Sequence, residues 1–304
     1  MTSSNPGQGL SLPEAARAAG VNFAQEVEPE DKFINIDGIR LHYLDWGPSE
    51  LTPILMLHGM AQSAHTWDFA GLALSDRYRV ISLDQRGHGD SDWAPDGNYS
   101  LDAHLGDIAG FINKLNLRNL VIVGLSMGGR NAYSYAALYP ERIHGLVIVD
   151  IAPESARSGP SAIREFIAQV DELDTFEEFV GRVKAYNPRR SDIQIRGSLS
   201  HNLKQLPSGR WTWKYDKVLR SPTRTQPQPD LVARQWEYIG KVECPTLLVR
   251  GEFSKVLSPE IAEITLSKLK NGTLSVVPNA GHLVPGDNPP GFHQVLEDFL
   301  KEHC

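Results

Sequence analysis

An unbroken apolar run, Leu120-Val121-Ile122-Val123, ends in Gly124-Leu125-Ser126-Met127-Gly128-Gly129, a serine with glycines two residues away on either side. The run is too short to span a membrane but suits a strand buried on both faces, and residues 130–138 read as the helix that leaves it. A serine on such a turn is held in strained backbone that needs neighbours without side chains, here Gly124 and Gly128. Its hydroxyl then stands above the sheet edge, and the next amide, that of Met127, points to where a negatively charged oxygen would form. The five-residue pattern alone is loose. The strand before it and the helix after it make Ser126 a candidate nucleophile rather than an ordinary turn residue.

Other short apolar runs share this rhythm, at residues 54–57, 80–83, 146–149, 246–249 and 274–277. Helical patterns separate most of them. Residues 101–115 put Leu101, Leu105, Ile108, Ile112 and Leu115 on one face, and 259–270 starts after Ser258 as N-cap and stops at Asn271-Gly272. Such alternation predicts an α/β fold with a mostly parallel sheet covered by helices on both faces. Ahead of it, Ile34 and Ile36, the turn pair Asp37-Gly38, then Ile39, Leu41 and Tyr43 predict an antiparallel hairpin.

Residues 152–241 break the pattern, with amphipathic helical stretches at 163–170 and 176–183 and no clear buried strand. They read as a helical cap inserted between the core segments 31–151 and 242–304, at the sheet edge where open α/β sheets hold ligands. Trp211, Trp213, Tyr215 and Trp236 are expected to form the cap's core, since aromatics mostly bury area in packing. Residues 1–30 read as an amino-terminal arm with a short helix near 13–19 and no legible function.

A serine hydroxyl needs a base, and the base needs a third group to orient it. Of the ten histidines, His282 follows the last predicted strand and returns to the edge that carries Ser126. It is the candidate base. His58, closing the first parallel strand, is expected to shape the loop that presents the Met60 amide as a second oxyanion donor beside Met127. His88 lies on a tight turn and reads as structural. Two acids remain open: Asp150, at the end of the strand 146–149 and 24 residues after Ser126, and Glu252, in the loop after 246–249. Asp150 is preferred because an acid at a strand's carboxyl end reaches a histidine on the same edge.

His58-Gly59 after one strand, the run from Asp84 to Gly89 after the next, the Ser126 turn and Gly281-His282 near the end occur in an order that resembles the α/β-hydrolase fold family. The resemblance runs from about Phe33 to His303, interrupted at the cap. One departure stands out. The loop Gly251-Glu252-Phe253-Ser254-Lys255 lacks the aspartate that most members carry there, and Ser254 occupies its approximate place. Ser126 stands where similar dehalogenases and epoxide hydrolases have an aspartate, which argues against those two activities. The resemblance implies a cofactor-free serine hydrolase of a small acyl substrate, similar to bacterial ester, amide and enol-lactone hydrolases. The alternatives are a perhydrolase or haloperoxidase, a C–C bond hydrolase, or a non-catalytic ligand-binding protein on the same fold.

A net charge of −7 argues against a phosphate backbone or an anionic membrane as partner, and the pair Arg189-Arg190 is expected to be solvated. Only Cys244 and Cys304 are present, too few for a disulfide framework or a cysteine-rich zinc site. With no leader-like start and no apolar run of about 18 residues, a cytoplasmic location is expected. Arg130, directly after Gly129, is expected to be a surface or supporting arginine rather than a substrate contact. Oligomeric state is not legible.

Overall fold

A computed structural model of the chain describes residues 10–155, 165–166, 169–220 and 229–304. The chain enters through helix α1 (Leu12–Ala18), then the hairpin β1 (Glu30–Ile36) and β2 (Ile39–Trp46). Asp37 and Gly38 both take positive φ, 47° and 88°, as the two-residue turn requires. Then follow β3 (Pro53–Leu57), α2 (Asp68–Leu74), β4 (Arg79–Leu83), α3 (Leu101–Lys114), β5 (Leu120–Leu125), α4 (Met127–Leu138) and β6 (Ile143–Val149). After an insertion, α7 (Pro229–Lys241) leads into β10 (Thr246–Gly251), α8 (Pro259–Lys268), β11 (Gly272–Val277), α9 (Val284–Asp287) and α10 (Pro289–His303).

The eight-stranded sheet has the order β1-β2-β4-β3-β5-β6-β10-β11, antiparallel for its first three strands and parallel from β4 onward. Period-two alternation sorts its side chains into two layers. Leu55, Ile81, Ile122 and Ile148 face α3, α4 and α7, while Met56, Val80, Val123 and Val149 face α2 and α10. Both faces are dry, which is why the central strands read as continuous apolar runs. Among the described residues, no helix is long and apolar enough to cross a membrane.

The insertion differs from its sequence reading. It holds α5 (Phe176–Tyr186) and α6 (Asp192–Asn202), but also a small antiparallel sheet of β7 (Glu172–Leu173), β8 (Leu203–Gln205) and β9 (Trp211–Trp213), in the order β7-β9-β8. Strands of two or three residues are too short for periodicity to register. Trp213 and Tyr215 pack with Phe176, Phe179 and Leu199 as a separate small core. Trp236 does not join them. It lies on α7, whose Tyr238 and Ile239 pack with the main core, and Tyr133 Oη of α4 donates to Gln235 Oε1 at 3.0 Å. The cap limit drawn at 241 thus includes a helix that packs as part of the core layer. Half of the helical pattern expected at 163–170 falls outside the described residues.

The arm also packs more closely than expected. Ala16 and Val21 are buried in the layer under α2 and α10, so the segment from Leu12 onward is seated on the core.

Candidate active site

The ladder between β5 and β6 aligns the functional residues. Leu125 pairs with Val149, and the Ser126 N–H donates to Val149 O at 3.0 Å. One strand over, the Asp150 N–H donates to Val249 O at 2.8 Å, so Ser126 and Asp150 close neighbouring strands at the same edge. Both take positive φ, 54° and 53°, and Ser126 has ψ −114°. Such backbone costs about 1–3 kcal/mol at each non-glycine residue and persists only where surrounding packing enforces it. The glycines explain how the turn fits. A Cβ on Gly124 would lie 2.4 Å from Gly128 O, and one on Gly128 only 2.1 Å from Leu57 O, so α4 starts in contact with the end of β3.

His282 arrives from the loop after β11. Its Nε2 lies 3.0 Å from Ser126 Oγ and its Nδ1 2.8 Å from Asp150 Oδ2. A carboxylate only accepts, so Nδ1 carries the proton and Nε2 is left to accept from the serine hydroxyl. Asp150 is fully buried, and its other oxygen accepts from the Gly251 N–H at 2.9 Å. Ser254 Oγ donates to Oδ2 at 2.5 Å and accepts from the Val256 and Leu257 amides at 3.1 Å each. The serine standing in the expected place of an aspartate therefore braces the acid on the neighbouring strand. Glu252 is exposed and accepts from the Asn279 N–H at 2.8 Å, at a turn where Asn279 has φ 57°. It shapes the approach to His282.

His58 is held by the loop it organises. The Gln85 N–H donates to its Nε2 at 3.0 Å, which leaves Nδ1 as the donor to Gly59 O at 2.7 Å. Burial pushes its pKa down, so the ring stays neutral. Gln85 Nε2 in turn donates to His58 O, and Asn131 Nδ2 of α4 donates to Gln85 Oε1, each at 2.7 Å. This network ties the β3 loop to the first turn of α4. Both Met60 and Met127 border the cavity at Ser126, and among the described residues their amide N–H groups donate to nothing. His88 is buried with a pKa lowered to about 3, chiefly by burial. Asp84 anchors the same region, accepting from His42 Nδ1 at 2.7 Å and from the Ala64 amide at 2.6 Å. Burial raises its pKa, but the bond from His42 and the nearby imidazoles outweigh that and hold its carboxyl below the usual range.

Two cavities meet at Ser126. The larger, about 870 Å³, lies between α3, α4 and α7 and includes Met127, Arg130, Asp102, Leu231 and Gln235. The smaller, about 100 Å³, lies under the insertion between His282 and the apolar groups Phe166, Val183, Tyr186, Leu199 and Trp213. Trp213 thus belongs both to the insertion's core and to the site. The expectation that Arg189 and Arg190 are both solvated is corrected in part. Arg189 is exposed, 4.8 Å above the Phe253 ring, but Arg190 lines the smaller cavity with its Nε buried. A pair of adjacent basic residues gives no sign of which one turns inward.

Two groups of side chains cluster as metal ligands would, His65 with Asp68 and His201, and His42 with Asp84 and Asp90. In the first, the two imidazoles stack face to face at 3.6 Å, so their in-plane lone pairs do not converge. In the second, both nitrogens of His42 are taken by Asp84 and Asp31.

Comparison with known proteins agrees with this architecture. Residues 52–289 match the sequence profile of a family described as the alpha/beta hydrolase fold. The chain is 29% identical to Esterase Rv0045c of Mycobacterium tuberculosis over 95% of its own length and 94% of that protein. It is 30% identical to a putative 2-succinyl-6-hydroxy-2,4-cyclohexadiene-1-carboxylate synthase of Bacillus subtilis, covering 87% of this chain and 96% of the other. Among solved structures, E-2-(acetamidomethylene)succinate hydrolase superposes with a TM-score of 0.80 at 25% identity, over 90% of this chain and 99% of that one. Profile, relatives and sheet topology agree, and the chain is a hydrolase of the α/β hydrolase fold family.

Proposed function

We propose that the chain is a serine hydrolase that cleaves a carboxylic ester, lactone or amide of a small molecule through an acyl-enzyme. The observation that carries this reading is the unbroken hydrogen-bond path from Ser126 Oγ through His282 to buried Asp150, on a strained turn beside two unpaired amides.

In the first step Ser126 Oγ attacks the acyl carbon while His282 Nε2 takes its proton. The carbonyl oxygen becomes negative and accepts from the Met60 and Met127 N–H groups. Removing one such donor typically costs about 10²–10³ in turnover. The tetrahedral species collapses as the imidazolium returns the proton to the leaving oxygen or nitrogen. Water then attacks the acyl-enzyme in the same way, releasing the acid and restoring Ser126. Asp150 keeps the proton on Nδ1 and stabilises the imidazolium without itself taking a proton. The base supplies the activation, so these steps call for no metal or organic cofactor.

A fluorophosphonate probe with a fluorescent tag tests the reading directly. The native chain should be labelled and should turn over an activated ester such as p-nitrophenyl acetate. Ser126→Ala should lose both while keeping the native melting temperature. Labelling or turnover that survives the substitution refutes the assignment, and a native chain that neither labels nor hydrolyses points to a ligand-binding role.

A further inference from the structure

The larger cavity contains an electrostatic anomaly. Two arginines turned toward the core have an acid, Arg79 with Asp45 and Arg86 with Asp107, and at the cavity mouth Arg234 grips both oxygens of Asp102. Arg130 has none. Among the described residues its guanidinium makes no ion pair and no hydrogen bond, and its Nε is fully buried without a partner. Burial lowers its pKa, and no carboxylate lies close enough to reverse that. The residue is half-buried, with Nε enclosed and the end of the guanidinium open to the cavity, so the charge stands unpaired at the cavity wall. A cation without an acid, in a cavity shared with the candidate nucleophile, is accounted for if a substrate supplies the anion.

The helix sets the distance. Ser126 caps α4, and the Arg130 N–H donates to Ser126 O at 2.9 Å, closing the first turn. Arg130 therefore stands one turn along α4 from the serine, and both side chains border the larger cavity. The surroundings also limit the anion's charge. Asp102 is neutralised by Arg234, but Asp230 borders the same cavity. A monoanionic carboxylate suits that field better than a phosphate dianion.

We propose that Arg130 binds a carboxylate of the substrate, and that this hydrolase therefore acts on acyl compounds bearing a free carboxylate a short chain from the scissile carbonyl. One helical turn between the two residues calls for a short linker. The proposal rests on the reading of Ser126 as nucleophile. The planar fork of a guanidinium pairs both oxygens of a carboxylate, which would fix the acyl chain on the α3 and α7 side of Ser126. The smaller apolar cavity beside His282 is then left for the leaving group.

Two esters of equal length isolate the charge: the p-nitrophenyl hemiester of glutarate, and p-nitrophenyl valerate, which ends in a methyl where the first has a carboxylate. The native chain should favour the hemiglutarate by tenfold or more in kcat/KM. Arg130→Met should lower that preference at least tenfold, mainly through KM, and Arg130→Lys should restore part of it. An equal preference in the native chain and Arg130→Met overturns the proposal while leaving the nucleophile reading intact. A second measurement does not depend on turnover. Calorimetric titration of glutarate into Ser126→Ala should show binding that weakens at least tenfold when Arg130→Met is added. No glutarate binding, or equal binding in both, overturns the proposal. Glutarate binding through Arg130 in a chain that neither labels nor hydrolyses would instead sink the nucleophile reading and keep the anion site.

Discussion

Replacing Asp150 by asparagine tests the reasoning at its most constrained point. The native carboxylate accepts three bonds: Gly251 N–H on Oδ1, with His282 Nδ1–H and Ser254 Oγ–H together on Oδ2. An amide of the same shape has only one acceptor oxygen. If that oxygen stays on Gly251, the new NH₂ faces His282 and Ser254. Ser254 Oγ already accepts from the Val256 and Leu257 amides, so its hydroxyl hydrogen is left facing a donor. The imidazole can satisfy the NH₂ only by moving its proton to Nε2, which then cannot accept from Ser126. Turnover should fall about 10⁴-fold, the loss seen when a serine triad's aspartate becomes asparagine, equivalent to about 5.5 kcal/mol. Leaving a buried donor unsatisfied should also cost about 1–3 kcal/mol of stability, visible as a lower melting temperature in a chain that still folds. The assay is p-nitrophenyl acetate hydrolysis with fluorophosphonate labelling rates, run beside Glu252→Gln. Since Glu252 holds only the Asn279 amide on the surface, its variant should lose less than about tenfold. A crippled Glu252→Gln beside a competent Asp150→Asn would refute the assignment of the acid.

Two further outcomes are expected. Ser254→Ala removes a donor to Asp150 and strands the Val256 and Leu257 amides. It should lower the melting temperature through a loss of about 1–3 kcal/mol and reduce turnover by one to two orders of magnitude, roughly the strength of a charge-assisted bond; native turnover would show that the brace has no part in the chemistry. The second outcome concerns acid. His88 and His293 are buried with pKa values lowered by burial to about 3 and about 4, from the ordinary 6.5. Both are neutral when folded and take up protons more readily when unfolded, so their stabilisation is complete above pH 6.5. It is lost as pH falls from 6.5 toward 4, by up to about 1.4 kcal/mol per pH unit for each group. Chemical denaturation followed from pH 7.5 to 4.5 should show that decline, and His293→Gln should make it shallower while the His88 part remains; a flat native profile over that range would contradict the account.

The local sequence was enough to define the elements that the site stands on. The run before Ser126, the glycines around it and the hairpin pair Asp37-Gly38 depend on short-range sterics and on period-two burial, which are written into neighbouring residues. His282 is legible because a loop after a parallel strand returns to the same edge. The small sheet of the insertion was not legible, because strands two or three residues long carry too little alternation to separate from a helical stretch. Nor was the attachment of Pro229–Lys241 to the core layer, since an amphipathic helix announces an apolar face but not the surface that receives it.

By itself, then, the sequence determined the alternating α/β plan, the strained turn at Ser126 and the loop that brings His282 back. The tertiary structure alone decided which acid meets that histidine. Asp150 and Glu252 both follow parallel strands, and only the register of β6 against β10 puts one carboxylate 2.8 Å from His282 Nδ1 and turns the other toward Asn279. The same holds for the arginines. Which cavity Arg130 or Arg190 enters is set by how α4 and the insertion pack against the rest of the molecule, and no local pattern encodes that.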